Sequence, residues 1–395
     1  MKNAIRLIFV LSFILISCKK ETIYSSFWDK CEIVAKKELI NGDTVIVCDA
    51  KAVTKTFNIP LEMLVDSFRV LKLDNKTEEG IIGRSVTPVA YSKNFFGIYC
   101  FGYFPLKLFN SQGVFLRSIG SLGQGPGEFI VISDVQIDEA NDRVYISTWM
   151  SDKILVYDLK GNLKPSISLP SKVMRARFRV NFKKKEVLVL CVTLENTSSQ
   201  VWLQDFEGNL IQTTSTISRF SDQLPVEEFI VSGLHTDNVD LFRQHYFNSD
   251  ELLYHYDLKL NKLLPKFKMK NINSSVFIYE LPRYYIIETA HSTGPNSNEP
   301  ESKKIIVDKT SLKGCYFNNF ITPIGIPLGN YNMLGHMKDG VFSLVEFGSE
   351  IEKHIYNVDE SRLTSDNRRL LNKLKQMIED EADDCSLLFV GKFKQ

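Results

Sequence analysis

Several signatures of enzymes and metal proteins are missing from this sequence. Its 7 cysteines never stand as Cys-x-x-Cys, so a zinc-ribbon site has no support. No Gly-x-Ser-x-Gly elbow is present, which removes the usual marker of serine hydrolysis. No glycine-rich segment ends in Gly-Lys-Ser or Gly-Lys-Thr, so the Walker phosphate loop is absent as well. The sequence therefore indicates architecture and location more strongly than chemistry.

An excess of charge of either sign is also lacking. The chain contains 48 Lys and Arg against 47 Asp and Glu. Residues 1–17 hold two of the basic residues, Lys2 and Arg6, which leaves 46 basic residues against 47 acidic ones. Nucleic-acid binding calls for a strongly basic balance, so we expect no nucleic-acid partner.

Long apolar runs are scarce. The run Leu7–Ile16 follows two cationic side chains and is shorter than the about 20 residues that a membrane-spanning helix needs. This order of charge and apolar residues is typical of an export signal. The following Leu-Ile-Ser-Cys, residues 15–18, resembles the lipobox of bacterial lipoproteins, whose cysteine carries fatty acyl groups such as palmitate. A plain secretory signal with a chance cysteine is the alternative.

We therefore predict a signal peptide over residues 1–17 and a lipid anchor on Cys18, with residues 18–58 forming a tether and an N-terminal hairpin. Lys19 differs from the aspartate that retains lipoproteins at the inner membrane, so we expect the outer membrane. The tether starts Lys-Lys-Glu and holds one acidic residue there, which leaves the periplasmic and the surface side both open.

Six cysteines remain after Cys18, yet the sequence does not favour a disulfide framework. Cys31 and Cys48 flank a predicted hairpin that turns at Asn41-Gly42, which would place Cys48 opposite Ala35. Cys31 would then lie too far away for a bridge to Cys48. Cys100 and Cys191 fall inside apolar strand runs, where a free cysteine behaves as a small buried hydrophobe.

A repeat of about 49 residues organises the chain. Each copy has a β-rich run, a short polar turn and a second β-rich run, with spacings of 48, 47, 52, 51 and 49 between turns. The first turn residues are Asn110, Asp158, Asp205, Asp257, Asp308 and Asn357. Two hairpins per repeat are typical of a four-stranded propeller blade.

The predicted fold is therefore all-β, a six-bladed β-propeller of four-stranded blades over residues 59–395. Strands at Phe68–Asp74 and Ser386–Lys394 should meet in one blade, so that no long edge stays unpaired. One short helical excursion is predicted over Ser361–Asp384, with its apolar face against the sheets. That face consists of Leu370, Leu371, Leu374, Met377 and Ile378.

The segment Gly123-Gln124-Gly125-Pro126-Gly127-Glu128 has the glycine content of a phosphate loop but the wrong context. A strand pair follows it, whereas a phosphate loop precedes a helix. Pro126 also removes a backbone N–H donor from its centre. We therefore predict a structural crossover between two blades, with glycines at positive φ and with Glu128 pairing locally.

A family resemblance rests on this segment and its surroundings. Gly123–Phe129, the following Val135–Leu163 and the earlier Ile59–Asn75 look like the six-bladed β-propeller lipoproteins of Gram-negative bacteria, which are related in fold to NHL-repeat propellers. The resemblance covers residues 59–393 and implies a propeller in the cell envelope. It implies no activity, so no catalytic residue is carried over.

Two sets of residues are candidate ligands. His235, His291 and His336 recur near the blade period and could converge on a divalent metal in the propeller channel. Unrelated surface histidines explain the spacing at least as well. Arg175, Arg177 and Arg179 alternate opposite Ala176 and Phe178, and could line a channel that attracts anions. A solvated blade face is the alternative.

Function can be stated as two hypotheses of different classes. The leading one is a membrane-anchored scaffold without evident catalysis or cofactor, which binds an unknown small molecule, glycan or protein through the loops of one face. The alternative is a metal-dependent lyase or hydrolase, similar to a lactonase, with its site in the channel.

The anchor gives the first testable prediction. Replacing Cys18 with alanine should release the protein from the membrane fraction or leave an uncleaved precursor, because the acylated sulfur is removed. Fractionation and immunoblotting measure both outcomes. A Cys18→Ala protein that still matures normally and stays in the membrane would show that no lipid is attached there.

Overall fold

The structure is a computed structural model that describes residues 26–74, 77–83, 86–100, 105–192, 201–214, 226–229, 239–245, 252–272, 275–290, 303–328, 337–338, 340–379 and 385–394. The fold is all-β, with several sheets and few helices. The predicted fold class is thus confirmed at the level of its secondary structure.

Five strands precede the first repeat: β1 (Glu32–Ile33), β2 (Ala35–Ile40), β3 (Asp43–Asp49), β4 (Thr56–Pro60) and β5 (Val65–Lys72). An antiparallel sheet follows, made of β6 (Val86–Tyr91), β7 (Phe95–Cys100), β8 (Leu106–Asn110) and β9 (Phe115–Ile119). Two short strands lie in the connection after it, β10 (Ser121–Leu122) and β11 (Glu128–Phe129).

The next sheet has seven strands in chain order: β12 (Ile132–Asp138), β13 (Arg143–Thr148), β14 (Met150–Tyr157), β15 (Leu163–Asn181), β16 (Glu186–Val192), β17 (Val201–Asp205) and β18 (Leu210–Thr213). The long β15 pairs with β14 through its first part and with β16 through its last part. It is therefore the last strand of one four-strand unit and the first strand of the next.

Two further sheets include the early strands. One contains β19 (Val226–Phe229), β20 (Val239–His245), β21 (Leu252–Asp257) and β22 (Lys262–Lys270), and β3 and β2 extend it beyond β22. The other contains β23 (Ser275–Glu280), β24 (Tyr284–Ala290), β25 (Lys304–Asp308), β26 (Lys313–Ile321) and β27 (Pro327–Leu328). Both β1 and β4 pair with β26 in that sheet.

The last sheet joins the two ends of the chain. It consists of β28 (Met337–Lys338), β29 (Val341–Phe347), β30 (Ser386–Phe393) and β5, in that order. Strand β30 pairs antiparallel with β5, with Phe389 opposite Val70. The predicted meeting of the early and late strands in one sheet is confirmed.

Turn chemistry explains the regular hairpins. In three turns an Asx side chain accepts a backbone N–H four residues on, and a glycine in the left-handed region completes the turn. The pairs are Asn110 with Gly113, Asp158 with Gly161, and Asp205 with Gly208. The turns at Asp257 and Asp308 are also present, with Asn261 and Leu312 at positive φ.

The prediction of a hairpin in the sixth repeat is wrong. The repeat predicts a hairpin turn at Asn357, but this residue follows the helix α1 (Gly348–Ile355). Buried Ile351 and Ile355 hold this helix against the core, so the apolar residues of the segment follow a helical period. The fourth strand of the sheet that contains β28, β29 and β30 is therefore β5, from the other end of the chain.

A second helix, α2 (Ser365–Glu379), accounts for the predicted helical excursion, although it begins four residues later than predicted. Leu371, Leu374 and Ile378 are buried and Leu370 and Met377 are partly buried, which confirms the predicted apolar face. No helix in the described part of the chain is both long and apolar enough to cross a membrane.

The N-terminal hairpin has the predicted register. Ala35 lies opposite Cys48, and Asn41 and Gly42 both have positive φ, as a two-residue type I′ turn requires. All six cysteines of the described chain are buried.

Apolar clusters fill the spaces between successive four-strand units. Each cluster contains side chains from two neighbouring units. One pair from each cluster is Phe96 with Leu388, Leu106 with Val135, Tyr145 with Val187, Leu188 with Tyr256, Leu253 with Ile278, and Phe320 with Phe342. The core therefore runs from each unit to the next, and the unit built from both chain ends contributes to two clusters.

Burial of Glu346 in β29 predicts a pH-dependent stability. Burial, with a smaller contribution from Glu350, raises the pKa of Glu346 from 4.5 to about 7. The folded state thus holds the proton more tightly than the unfolded state. Stability should be highest below about pH 4.5 and should fall as the pH rises through about 7. The loss is roughly 3–4 kcal/mol, at 1.4 kcal/mol per pKa unit.

Urea unfolding of the Glu346→Gln protein at several pH values tests this prediction, because glutamine keeps the shape and removes the titration. The variant should lose most of the decline in unfolding free energy between pH 5 and 8. Glu352→Gln, at an exposed position of α1, is the matched control and should behave as the wild type. An unchanged slope in Glu346→Gln would contradict the assignment.

Candidate functional site

The glycine-rich loop connects β9 to β12 and folds back on itself. Short β10 and β11 pair in parallel, with Ser121 opposite Glu128. The Glu128 carboxylate accepts the Gly125 N–H at 2.8 Å and the Ser121 hydroxyl at 3.5 Å. The loop is therefore a connection between two sheets, and its acidic side chain bonds within the loop, as predicted.

Two of the loop glycines are required by the backbone. Gly123 has φ 154° and Gly127 has φ 75°. A Cβ at Gly123 would overlap the Glu128 carboxylate, and a Cβ at Gly127 would lie 2.8 Å from Leu163 Cδ2. Gly125 does not share the positive φ, so that part of the prediction is wrong.

Two tyrosines fix the loop to the sheets on either side. The Tyr157 hydroxyl of β14 donates to the Gly127 carbonyl. The Tyr99 hydroxyl of β7 donates to the Ile130 carbonyl at 3.1 Å and accepts the Ile132 N–H at 3.3 Å. Burial raises the pKa of Tyr157 to about 12, so this phenol keeps its proton and remains a donor at neutral pH. The loop is held rigidly.

A cleft of about 440 Å³ opens beside the loop. It lies where the β13–β14 turn meets the loop, and exposed apolar side chains stand along it. Its lining residues are Gly123, Glu128, Phe129, Ile130, Val131, Thr148, Trp149 and Met150. Ile130, Trp149 and Met150 are 52%, 38% and 47% exposed. We call these three side chains the apolar rim.

Arg175 positions the tryptophan of the rim. Its guanidinium lies 4.0 Å from the centre of the Trp149 ring, a cation–π arrangement. The backbone N–H of Arg175 donates to the Trp149 carbonyl at 2.8 Å, and the backbone N–H of Trp149 donates to the Val131 carbonyl at 3.0 Å. Both the backbone and the ring of Trp149 are therefore fixed.

The three predicted arginines do not form one stripe. Ala176 and Phe178 are buried, but Arg175 has φ 51° at an irregularity of β15. Arg177 and Arg179 lie instead 4.0 and 3.8 Å from the buried carboxylate of Asp134 on β12. The Asp134 carboxylate already provides a negative charge beside Arg177 and Arg179. The role of the three arginines in attracting an anionic ligand stays a prediction.

A family model for a domain of unknown function, DUF4934, matches residues 43–322. The chain belongs to the DUF4934 family. No curated protein matches it in sequence.

Two solved structures resemble this DUF4934 chain. A Bacteroides fragilis protein described as exported is 15% identical, with a TM-score of 0.54 over 86% of this chain and 99% of that one. A Bacteroides vulgatus member of the DUF4221 family is 8% identical, with a TM-score of 0.46 over 84% and 97% of the two chains. The likeness to the first protein shows a shared fold and nothing about activity.

The remaining predicted site residues lie outside the described residues of the DUF4934 chain. These are Cys18, His235, His291 and His336. Their lipid and metal roles stay predictions. Within the described ranges, no group of three or more His, Cys, Asp or Glu side chains is placed to hold a metal ion.

Sequence reasoning missed the apolar rim. A signal was present in Ser-Thr-Trp-Met-Ser, residues 147–151, where two strands meet at an aromatic residue and no glycine, proline or asparagine stands at the turn. Alternation alone assigned these residues to a strand pair, and it cannot show that Trp149 and Met150 lie at the exposed end of that pair.

The loop geometry predicts a specific loss of stability. Gly127→Ala combines an unfavourable φ with contacts of the new methyl group to Leu163 and, at 3.3 Å, to the Tyr157 hydroxyl that holds the loop, so we expect a cost of about 2–3 kcal/mol. The melting temperature should fall by roughly 2–4 °C per kcal/mol, or somewhat less in a chain of this size. Differential scanning calorimetry measures the shift.

Gly42→Ala is the matched control, because Gly42 has φ 89° but a methyl group there would meet no atom within 4 Å. It should cost only the backbone strain, about 1–2 kcal/mol. Equal shifts for the two variants would show that the loop does not pack tightly against Leu163.

Proposed function

We propose that this DUF4934 protein is a six-bladed β-propeller closed by β5 and β30. Six antiparallel four-strand units follow one another, and one apolar cluster lies between each unit and the next. A β-sheet with two apolar faces is stable only when both faces are covered, and a closed ring covers them all. The pairing of β30 with β5 supports closure.

The proposed location is the cell envelope, with a lipid anchor on Cys18 in the outer membrane. The export signal over residues 1–17 supports it. The fold shared with the Bacteroides fragilis protein described as exported is consistent with the same route.

The proposed activity is protein binding through the apolar rim, and the cleft beside Trp149 is the observation that carries it. Three large apolar side chains stand exposed together there, although a monomer usually buries such a cluster. Tryptophan, methionine and arginine are enriched at protein interfaces, and tryptophan and arginine contribute most to binding energy. The rim fits an apolar segment of a partner protein.

Rigidity strengthens this proposal. Arg175, Tyr99 and Tyr157 fix the backbone around the cleft before any partner arrives. A fixed site loses little conformational entropy on binding, so more of the contact energy becomes affinity. The proposal assigns no reaction to the cleft.

Intrinsic fluorescence offers a direct test, because Trp149 is the exposed one of three tryptophans. Trp28 and Trp202 are 3% and 4% exposed. A partner captured from envelope extracts by crosslinking should shift or quench the Trp149 emission on titration. Trp149→Ala and Met150→Ser should each weaken its binding about tenfold or more, at 1.4 kcal/mol per tenfold change.

Leu260→Ser is the control, since Leu260 is an exposed leucine in the β21–β22 turn of another sheet. It should leave the dissociation constant unchanged. Full binding by both rim variants would overturn the proposal. Stoichiometric zinc or calcium in the purified protein, lost in His235→Ala or His336→Ala, would favour the metal-dependent enzyme instead.

A further inference from the structure

Strand pairing brings two cysteines face to face. Strand β1 runs antiparallel to β26, with Glu32 opposite Gly314 and Ile33 opposite Lys313. Cys31 precedes Glu32 and Cys315 follows Gly314, so extending this register by one residue places Cys31 opposite Cys315. Directly opposed residues of an antiparallel pair have Cα atoms about 4.5–5.5 Å apart, within the range that a disulfide spans.

The side chains complete this geometry. Both thiols are buried in the same apolar cluster and are in hydrogen-bonding contact with each other. The contact with Cys315 lowers the pKa of Cys31, and Lys313, Lys55 and Lys30 contribute in the same direction. A lowered pKa favours the thiolate, which is the form that attacks a disulfide.

We propose that Cys31 and Cys315 form a disulfide in the exported protein. This rests on the proposed export, because disulfides persist in oxidising compartments. The Cys31 thiolate attacks the disulfide of an envelope thiol oxidase, and one thiol of that oxidase leaves. The contact with Cys31 and burial raise the pKa of Cys315, so Cys315 stays a thiol until it loses its proton in attacking the mixed disulfide, and it then displaces the second oxidase thiol. One S–S bond forms, two protons leave the cysteines, and the two electrons reduce the oxidase to its dithiol.

The bond would fasten the membrane-proximal end of the chain. Only 12 residues separate Cys31 from Cys18, the proposed lipid anchor. Strand β1 has two residues, so its pairing with β26 is a weak attachment for the segment that carries any pull from the membrane. A covalent link from this segment to the core of the β26 sheet would transfer that pull to the folded body.

Two of the other described cysteines, Cys48 and Cys191, do not share this arrangement. Cys48 lies opposite Ala35, and burial raises its pKa to about 12. Cys191 of β16 is buried in a different apolar cluster from Cys31 and Cys315. Cys48 therefore provides a matched buried thiol that the proposal leaves free.

The test compares the full-length protein, purified from envelopes and blocked with maleimide, before and after reduction. Reduction should release two further thiols, whether or not Cys18 is acylated. Non-reducing tryptic mass spectrometry should find Cys31–Lys36 linked to Gly314–Lys338. Reduction should lower the melting temperature by about 5 °C or more.

Cys31→Ser and Cys315→Ser should each abolish the linked peptide and the effect of reductant on melting, whereas Cys48→Ser should keep both. No thiols released from envelope-derived protein, or a link between other cysteines, would overturn the proposal. Refolding in a glutathione redox buffer separates the two hypotheses. If the disulfide forms in this buffer but the cellular protein is located in the cytoplasm and lacks it, the export proposal is wrong. If the disulfide does not form in the buffer, the pairing of Cys31 with Cys315 is wrong.

Discussion

Apolar packing between neighbouring sheets is the constraint on which the rest of this structure depends. Each four-strand unit shares an apolar cluster with a neighbouring unit, so these side chains are buried only when the neighbour is in place. The two ends of the chain meet where β30 pairs with β5 in one sheet. The long β15 sets two neighbouring units side by side, because it pairs with β14 through its first part and with β16 through its last part.

The candidate site follows from this arrangement. Connections between units and the turns within them leave the sheets at their ends, where they are free to differ in sequence. The glycine-rich loop is held in place by hydrogen bonds, because Glu128 accepts a bond within the loop and the hydroxyls of Tyr99 and Tyr157 donate to loop carbonyls from the sheets on either side. The exposed apolar rim then stands on a backbone that does not need to reorganise.

The N-terminal segment shows how small strands can have large consequences. Strands β1 and β4 add to the β26 sheet, and the β2–β3 hairpin extends the sheet of β22. A segment that reads as a tether in the sequence thus contributes side chains to the core, including Trp28 and Cys31. The position of Cys31 beside Cys315 is a result of this docking.

Local rules in the sequence determined much of the fold. Strand alternation, the Asx turns at Asn110, Asp158 and Asp205, the Asn41-Gly42 hairpin and the apolar face of α2 all depend on residues close in the chain. The same rules failed at Asn357, because a β-rich run and a short amphipathic helix differ little in composition, and packing against the core decided between them.

The tertiary structure alone decided which distant residues meet. Trp149 and Arg175 are 26 positions apart, and Cys31 and Cys315 are 284 apart, so no periodicity within the chain could relate them. Their proximity comes from sheet order and register, which depend on the packing of whole units. The sequence by itself determined the first five repeats and their turns, because these are local. The cleft and the cysteine pair required the fold, because side chains far apart in the chain become neighbours only when the sheets assemble.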